Sequence, residues 1–173
     1  RDMSENAVGI YLGKSTQQPE GMRILNNTVF STAGYDIKIE SGLAIYIANN
    51  VFDQCDKGNI VDGSTNPLGN INFINNWFGS KSGASMSTML DCSGTLIESS
   101  FTDNRFVCRD AVCLSLGPLC QGISLKGNGF AARLSNGSSF TGPAVKINKA
   151  NHIFGTGNYF NTASGIVSLS ETD

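Results

Sequence analysis

One residue type, recurring in one place, constrains this chain more than anything else in it. A short pattern, apolar-x-x-Asn-x-apolar, appears six times, with its Asn at Asn27, Asn50, Asn76, Asn104, Asn128 and Asn158. The intervals are 23, 26, 28, 24 and 30 residues. Periods of this size mark repeat architectures, in which each unit buries its apolar face only against the next. The 173 residues contain 18 Asn, and that abundance does not place six of them in one aligned column by accident. The chain reads as a solenoid.

The columns beside the Asn give each repeat its internal form. Two residues after it stand Val29, Phe52, Phe78, Phe106, Phe130 and Phe160; three before it stand Ile24, Ile47, Phe73, Phe101, Leu125 and Gly155. The residue immediately before it is Asn26, Asn49, Asn75, Asp103, Gly127 or Gly157. That column holds only residue types that tolerate positive φ, so a sharp bend between two short strands is expected there. The Asn amides can then bond the bend and the Asn one coil away, forming a ladder. The Phe column is expected to stack inside, one ring per coil.

A further alternating strand precedes these in each coil. It reads Ile10-Tyr11-Leu12, Ile37-Lys38-Ile39, Val61-Asp62-Gly63, Leu90-Asp91-Cys92, Leu114-Ser115-Leu116, Val145-Lys146-Ile147 and Val167-Ser168-Leu169. Period-2 alternation puts one side of each strand inward and the other outward. No window sustains a 3.6-residue period with helix caps. The expected fold is all-β: a right-handed parallel β-helix of about seven coils, three short strands per coil, with an Asn ladder and a Phe stack. It is expected to occupy 1–173 as one domain, a fragment of a longer chain. The leucine-rich repeat, LxLxxNxL, has a similar period. Here Ile and Phe replace Leu, the upstream LxxL is missing, and no helix-forming stretch completes the repeat.

Composition narrows the function. The net charge is −2 and only 15% of residues are charged, which leaves no basic footprint for nucleic acid. Apolar runs are only a few residues long, so no membrane insertion is expected. The five cysteines (Cys55, Cys92, Cys108, Cys113, Cys120) include no CxxC pair, and HExxH, P-loop and GxGxxG motifs are missing. No metal or cofactor is therefore expected. The thiols read best as buried small hydrophobes, while a Cys108–Cys113 or Cys113–Cys120 disulfide stays open.

The Asn column, the Phe stack and three strands per coil resemble the right-handed parallel β-helix of the pectin-lyase-like superfamily. Low charge, richness in Asn, Gly and Ser, and few cysteines are most similar to bacteriophage tailspikes and related polysaccharide depolymerases. Polygalacturonase-like Asn-Thr-Asp, Gly-His-Gly and Arg-Ile-Lys motifs are not found, nor is a pectate-lyase-like Trp-Ile-Asp-His. The resemblance implies a polysaccharide partner, a homotrimer, and a place outside the cell or on a virion surface such as a phage tail.

Chemistry must come from outward-facing residues, since this fold serves many functions. The outward column of the first strand is expected to run Tyr11, Lys38, Asp62, Asp91, Ser115, Lys146, Ser168. That makes Asp62 and Asp91 vertical neighbours, about 4.8 Å apart in strand spacing. Two carboxyls about 5 Å apart suit a retaining glycosidase, one attacking while the other donates a proton. Glu40 faces the same surface and can replace either, with Lys38 and Tyr11 beside it to bind substrate. A second outward column carries Trp77 below Arg105, expected as a cation–π pair and as a platform for sugar or a subunit contact. These residues suit a carbohydrate-binding and carbohydrate-cleaving β-helix, hydrolase or lyase, and the resemblance to tailspikes implies a bacterial surface polysaccharide as its substrate. The alternative is a non-catalytic stalk or adhesin segment.

Overall fold

The computed structural model describes residues 7–13, 18–63, 66–81, 84, 86–133, 142–161 and 167–170, and among them there is no helix. The chain is a parallel β-solenoid of three sheets. The first sheet stacks Val8–Leu12, Tyr35–Ile39, Gly58–Val61, Thr88–Cys92, Val112–Leu116, Val145–Asn148 and Val167–Ser170 in chain order. In the second lie Arg23–Leu25, Tyr46–Ala48, Asn72–Ile74, Ser100–Thr102, Cys120–Lys126 and Asn151–Thr156, with the short Leu68–Gly69 and Leu96–Ile97 extending its edge. The third stacks Thr28–Phe30, Val51–Cys55, Trp77–Ser80, Arg105–Arg109, Gly129–Arg133 and Tyr159–Asn161. The coil count is slightly below the expected seven, since the structure makes about five full turns.

The bend column behaves as its composition demands. Asn26, Asn49, Asn75, Asp103, Gly127 and Gly157 all have positive φ, between 51° and 67°. The Asn that follows each bend turns inward and joins the ladder. Asn76 shows the full set: its Oδ1 accepts from the backbone N and the Nδ2 of Asn50, both at 3.0 Å. Its Nδ2 donates to the Ile47 carbonyl (2.9 Å) and to Asn104 Oδ1 (3.0 Å). Asn50, Asn104 and Asn128 repeat this arrangement, and Asn27 and Asn158 form its ends. Behind the ladder the rings of Phe52, Phe78, Phe106, Phe130 and Phe160 stack at successive centroid distances of 5.3, 4.8, 5.0 and 5.2 Å. Phe73 and Phe101 form a second stack at 4.9 Å.

A second bend, invisible in the sequence, lies six residues before each Asn. Gly21, Ala44, Asn70, Glu98, Gly122 and His152 take φ between 47° and 67°. Ala and Glu are not residues that favour this region, which costs roughly 1–2 kcal/mol for a residue with a Cβ. The coil above and below holds them there: Ala44 N donates to Gly69 O, Asn70 N to Ile97 O and Glu98 N to Gln121 O, at 3.0, 3.1 and 2.9 Å. Tertiary context overrides propensity at these positions.

One strand departs from the expected register. The triplet expected in the third coil was Val61-Asp62-Gly63, but the pairs Lys38↔Ile60, Ile39↔Val61 and Asp91↔Ile60 make it Asn59-Ile60-Val61. Asn59 fills an inward slot normally held by an aliphatic residue, and its amide bonds make this possible. Ile37 N donates to Asn59 Oδ1 at 2.9 Å, and Asn59 Nδ2 donates to Met89 O at 3.2 Å. The shift coincides with a bulge between Tyr35 and Lys38. There Asp36 is driven inside, fully buried, with the Thr32 hydroxyl donating to its Oδ1 at 2.7 Å and no partner for its Oδ2 among the described residues. The five cysteines are buried free thiols, and no disulfide joins them.

Burial of Asp36 raises its carboxyl from 3.8 to about 7, opposed by hydrogen bonds from Thr32 and Cys55 and assisted by the charge of Asp53. The fold therefore binds this proton more tightly than the unfolded chain does. Its stabilising contribution is full below the unfolded value near 4 and is lost as pH rises through about 7. Denaturant unfolding is expected to show a solenoid more stable at pH 5 than at pH 8 by a few kcal/mol, with Asp36→Asn flattening the difference. An unchanged pH profile in Asp36→Asn would contradict this assignment.

Candidate functional site

The outward side of the first sheet is a strip of polar residues fixed by strand register. Its central column runs Tyr11, Lys38, Ile60, Asp91, Ser115, Lys146, so Ile60 stands where Asp62 was expected. Asp62 lies two residues further along, in a parallel column, and its backbone N donates to Ile39 O at 2.8 Å. Glu40 occupies that same column one coil earlier, with its N bonded to Leu12 O at 2.8 Å. Glu40 and Asp62 are thus the vertical neighbours, while Asp62 and Asp91 are diagonal ones. One strand spacing combined with two residues of rise gives a Cα separation of about 8 Å. The expected separation near 5 Å is corrected accordingly. The offset is set where the Gly58–Val61 strand pairs with Thr88–Cys92, Leu90 against Asn59 and Asp91 against Ile60, which leaves Asp62 just past the strand end.

The three carboxylates differ in state. Glu40 is 8% exposed and held at both oxygens: Tyr11 Oη donates to Oε2 at 2.5 Å, and Lys38 Nζ approaches Oε1 at 2.7 Å. The same ammonium lies 5.9 Å from the centre of the Tyr11 ring, a cation–π contact. The hydrogen bond and charge of Glu40 outweigh partial burial and raise the Lys38 pKa further. Asp91 is half-buried, and desolvation lifts its pKa above the ordinary value of an Asp carboxyl. The charge of Asp62 lifts it again, and only Lys146, two coils away across Ser115, opposes the shift. Asp91 therefore favours the protonated form more than an exposed Asp does, and Asp62 supplies a negative charge within its electrostatic reach. A proton donor and a base facing one open strip can carry acid–base chemistry on a bound ligand.

Trp77 and Arg105 stand apart from this cluster. They are register neighbours in the outward column of the third sheet, as expected. Trp77 is committed elsewhere, however: it donates a side-chain hydrogen bond to the Asp53 carboxylate. That contact passes over Gly79, where a Cβ would collide with both Asp53 Oδ1 and Trp77 Nε1. The ammonium–ring pair found among the described residues is Lys38 on Tyr11, in place of the expected Arg105 on Trp77. The sequence places Lys146 in the outward column of the first sheet without assigning it a role. Its position on the Asp91 side of the cluster was readable from the column, but its electrostatic effect was not. No group of three or more His, Cys, Asp and Glu among the described residues is placed to hold a metal.

Comparison with family models, curated proteins and solved structures finds no match to this chain. The fold and the residue geometry carry the functional argument alone.

The electrostatic description of Asp91 has a direct check. In a carbon-detected NMR titration, Asp62→Asn should lower the Asp91 pKa and Lys146→Ala should raise it, because each removes one named charge. Titration of Asp91 unaffected by either variant would show that the two groups do not reach it.

Proposed function

We propose that this chain binds and hydrolyses a bacterial surface polysaccharide along the outward face of its first sheet. The observation that carries the reading is the diagonal pair: Asp91, with its raised pKa, and Asp62, about 8 Å away between Cα atoms. Inverting glycosidases hold their two carboxyls further apart than retaining ones, leaving room for a water between base and sugar, and a diagonal placement gives more room than an adjacent one. In this role Asp91 donates its proton to the glycosidic oxygen as the bond to the anomeric carbon breaks. Asp62 takes a proton from the water that attacks that carbon from the opposite side. Glu40, fixed by Tyr11 and Lys38, positions that end of the strip and leaves the acid–base work to the two Asp. In this reading the diagonal placement suits an inverting arrangement, in place of the retaining one expected from side-by-side carboxyls.

Likeness to the pectin-lyase-like superfamily, and to tailspikes in particular, supports this substrate class through the Asn ladder, the Phe stack and the sparse charge. In the same reading the chain works as a homotrimer outside the cell or on a virion surface. A non-catalytic stalk or adhesin segment is the second reading. It is favoured by one observation: cavities beside Leu125, Tyr46 and Gln121 all lie away from the carboxylate strip.

Depolymerisation of capsular and O-antigen polysaccharides, followed by size-exclusion chromatography, tests the proposal. Cleavage by the native chain should fall at least a hundredfold in Asp62→Asn and in Asp91→Asn, and NMR of the first product should show an inverted anomeric centre. Full activity in both variants would place the chemistry elsewhere.

A further inference from the structure

The second sheet carries an outward column that neither the ladder nor the carboxylate strip uses. Its register is Arg23, Tyr46, Asn72, Ser100, Ser124, Phe154. Tyr46 and Phe154 are exposed, at 40% and 62%, and stand four coils apart, about 19 Å at the spacing of adjacent strands. Between them the side chains are short and polar. Ser100 Oγ donates to Asn72 Oδ1 at 2.7 Å, and Asn72 Nδ2 donates to Asn70 O at 3.2 Å, so this floor is ordered by its own hydrogen bonds.

The second bend hollows the edge of this face. Gly21 has no Cβ, a Cβ placed there would meet nothing within 4 Å, and Ala44 adds only a methyl. A cavity of about 490 Å³ opens there, lined by Gly21, Met22, Arg23, Ala44 and Tyr46. One coil beyond Ser100, Gly122 leaves a second recess of about 220 Å³ lined by Ile97, Glu98, Gln121, Gly122 and His152. Each recess adjoins one end of the column.

We propose that this face is a second, non-catalytic binding surface for a neutral linear oligosaccharide lying along the solenoid axis. Its terminal sugars stack on Tyr46 and Phe154, and its middle sugars hydrogen-bond Asn72, Ser100 and Ser124. Three features select this ligand. Exposed aromatic faces take the apolar face of a pyranose, and hydroxyl and amide groups match its edges. The column contains no carboxylate and only one cation, Arg23, at its end, so nothing across its floor selects a charged ligand. A second protein copy fits poorly, because interfaces place apolar residues at the centre and polar ones at the rim. Here the centre is polar and the rings are at the ends. The surface stands independently of cleavage on the first sheet.

Amide-detected NMR titration tests it, using linear hexasaccharides of glucose in β-1,4, β-1,3 and α-1,4 linkage and of N-acetylglucosamine in β-1,4 linkage. At least one should shift the Asn72 side-chain amide and the backbone amides of Ser100 and Ser124. Tyr46→Ala and Phe154→Ala should each weaken that binding roughly tenfold, with circular dichroism unchanged. The same shifts should persist in Asp91→Asn, so failure of cleavage and failure of this surface give different results. The proposal is overturned if no hexasaccharide moves these resonances, or if the shifts survive in the Tyr46→Ala, Phe154→Ala double variant. It is equally overturned if the resonances move with protein concentration alone, which would mark the face as a contact between copies.

Discussion

Everything in this molecule is arranged around a buried column of side-chain amides. An Asn in an apolar interior is costly unless all its donors and acceptors are used. The inner rungs meet that condition in full, each amide oxygen accepting two bonds and each nitrogen donating two. No other side chain of this size offers two donors and two acceptors in one plane. The ladder therefore does more than fill space. It fixes the distance between coils, ties each bend to the coil before it and the coil after it, and sets the register of the Phe rings behind it. A carboxylate in the same place would have no proton to give to the next rung.

The faces of the solenoid follow from that register. With coils locked at one bend, the residues before and after it have little freedom in which way they point, and outward columns form on all three sheets. Register is not uniform along the stack: it shifts between Tyr35 and Lys38 in the first sheet and between Gly79 and Ser80 in the third. Pairing with both neighbours places Ile60 in the column of Lys38 and Asp91, with Asp62 two residues further along. Strand register thus decides whether two carboxylates stand side by side or diagonally.

The ladder, the ring stack and the first bend were legible because each is a single-residue requirement repeated six times. Asn26 to Gly157 are residues that accept positive φ, and the structure gives every one of them positive φ. The second bend was not legible because Ala44 and Glu98 have no intrinsic reason to adopt it; neighbouring coils impose it through backbone bonds that leave no trace in residue type. Asn59 misled for the converse reason. A polar residue in an inward slot reads as loop or surface, and only its bonds to Ile37 and Met89 show how it is accommodated. The site residues Tyr11, Lys38, Glu40, Asp62 and Asp91 were legible as one face. Their pairing was not, since it depends on the register of Gly58–Val61 against Thr88–Cys92.

The amide protons of the ladder itself offer the most direct measurement. Side-chain hydrogen exchange followed by NMR should find the Nδ2 protons of Asn50, Asn76, Asn104 and Asn128 protected to nearly the free energy of global unfolding, while those of exposed Asn49 and Asn70 exchange freely. Rapid exchange at all of these positions would mean that the amides face water, and a solenoid built on them could not stand.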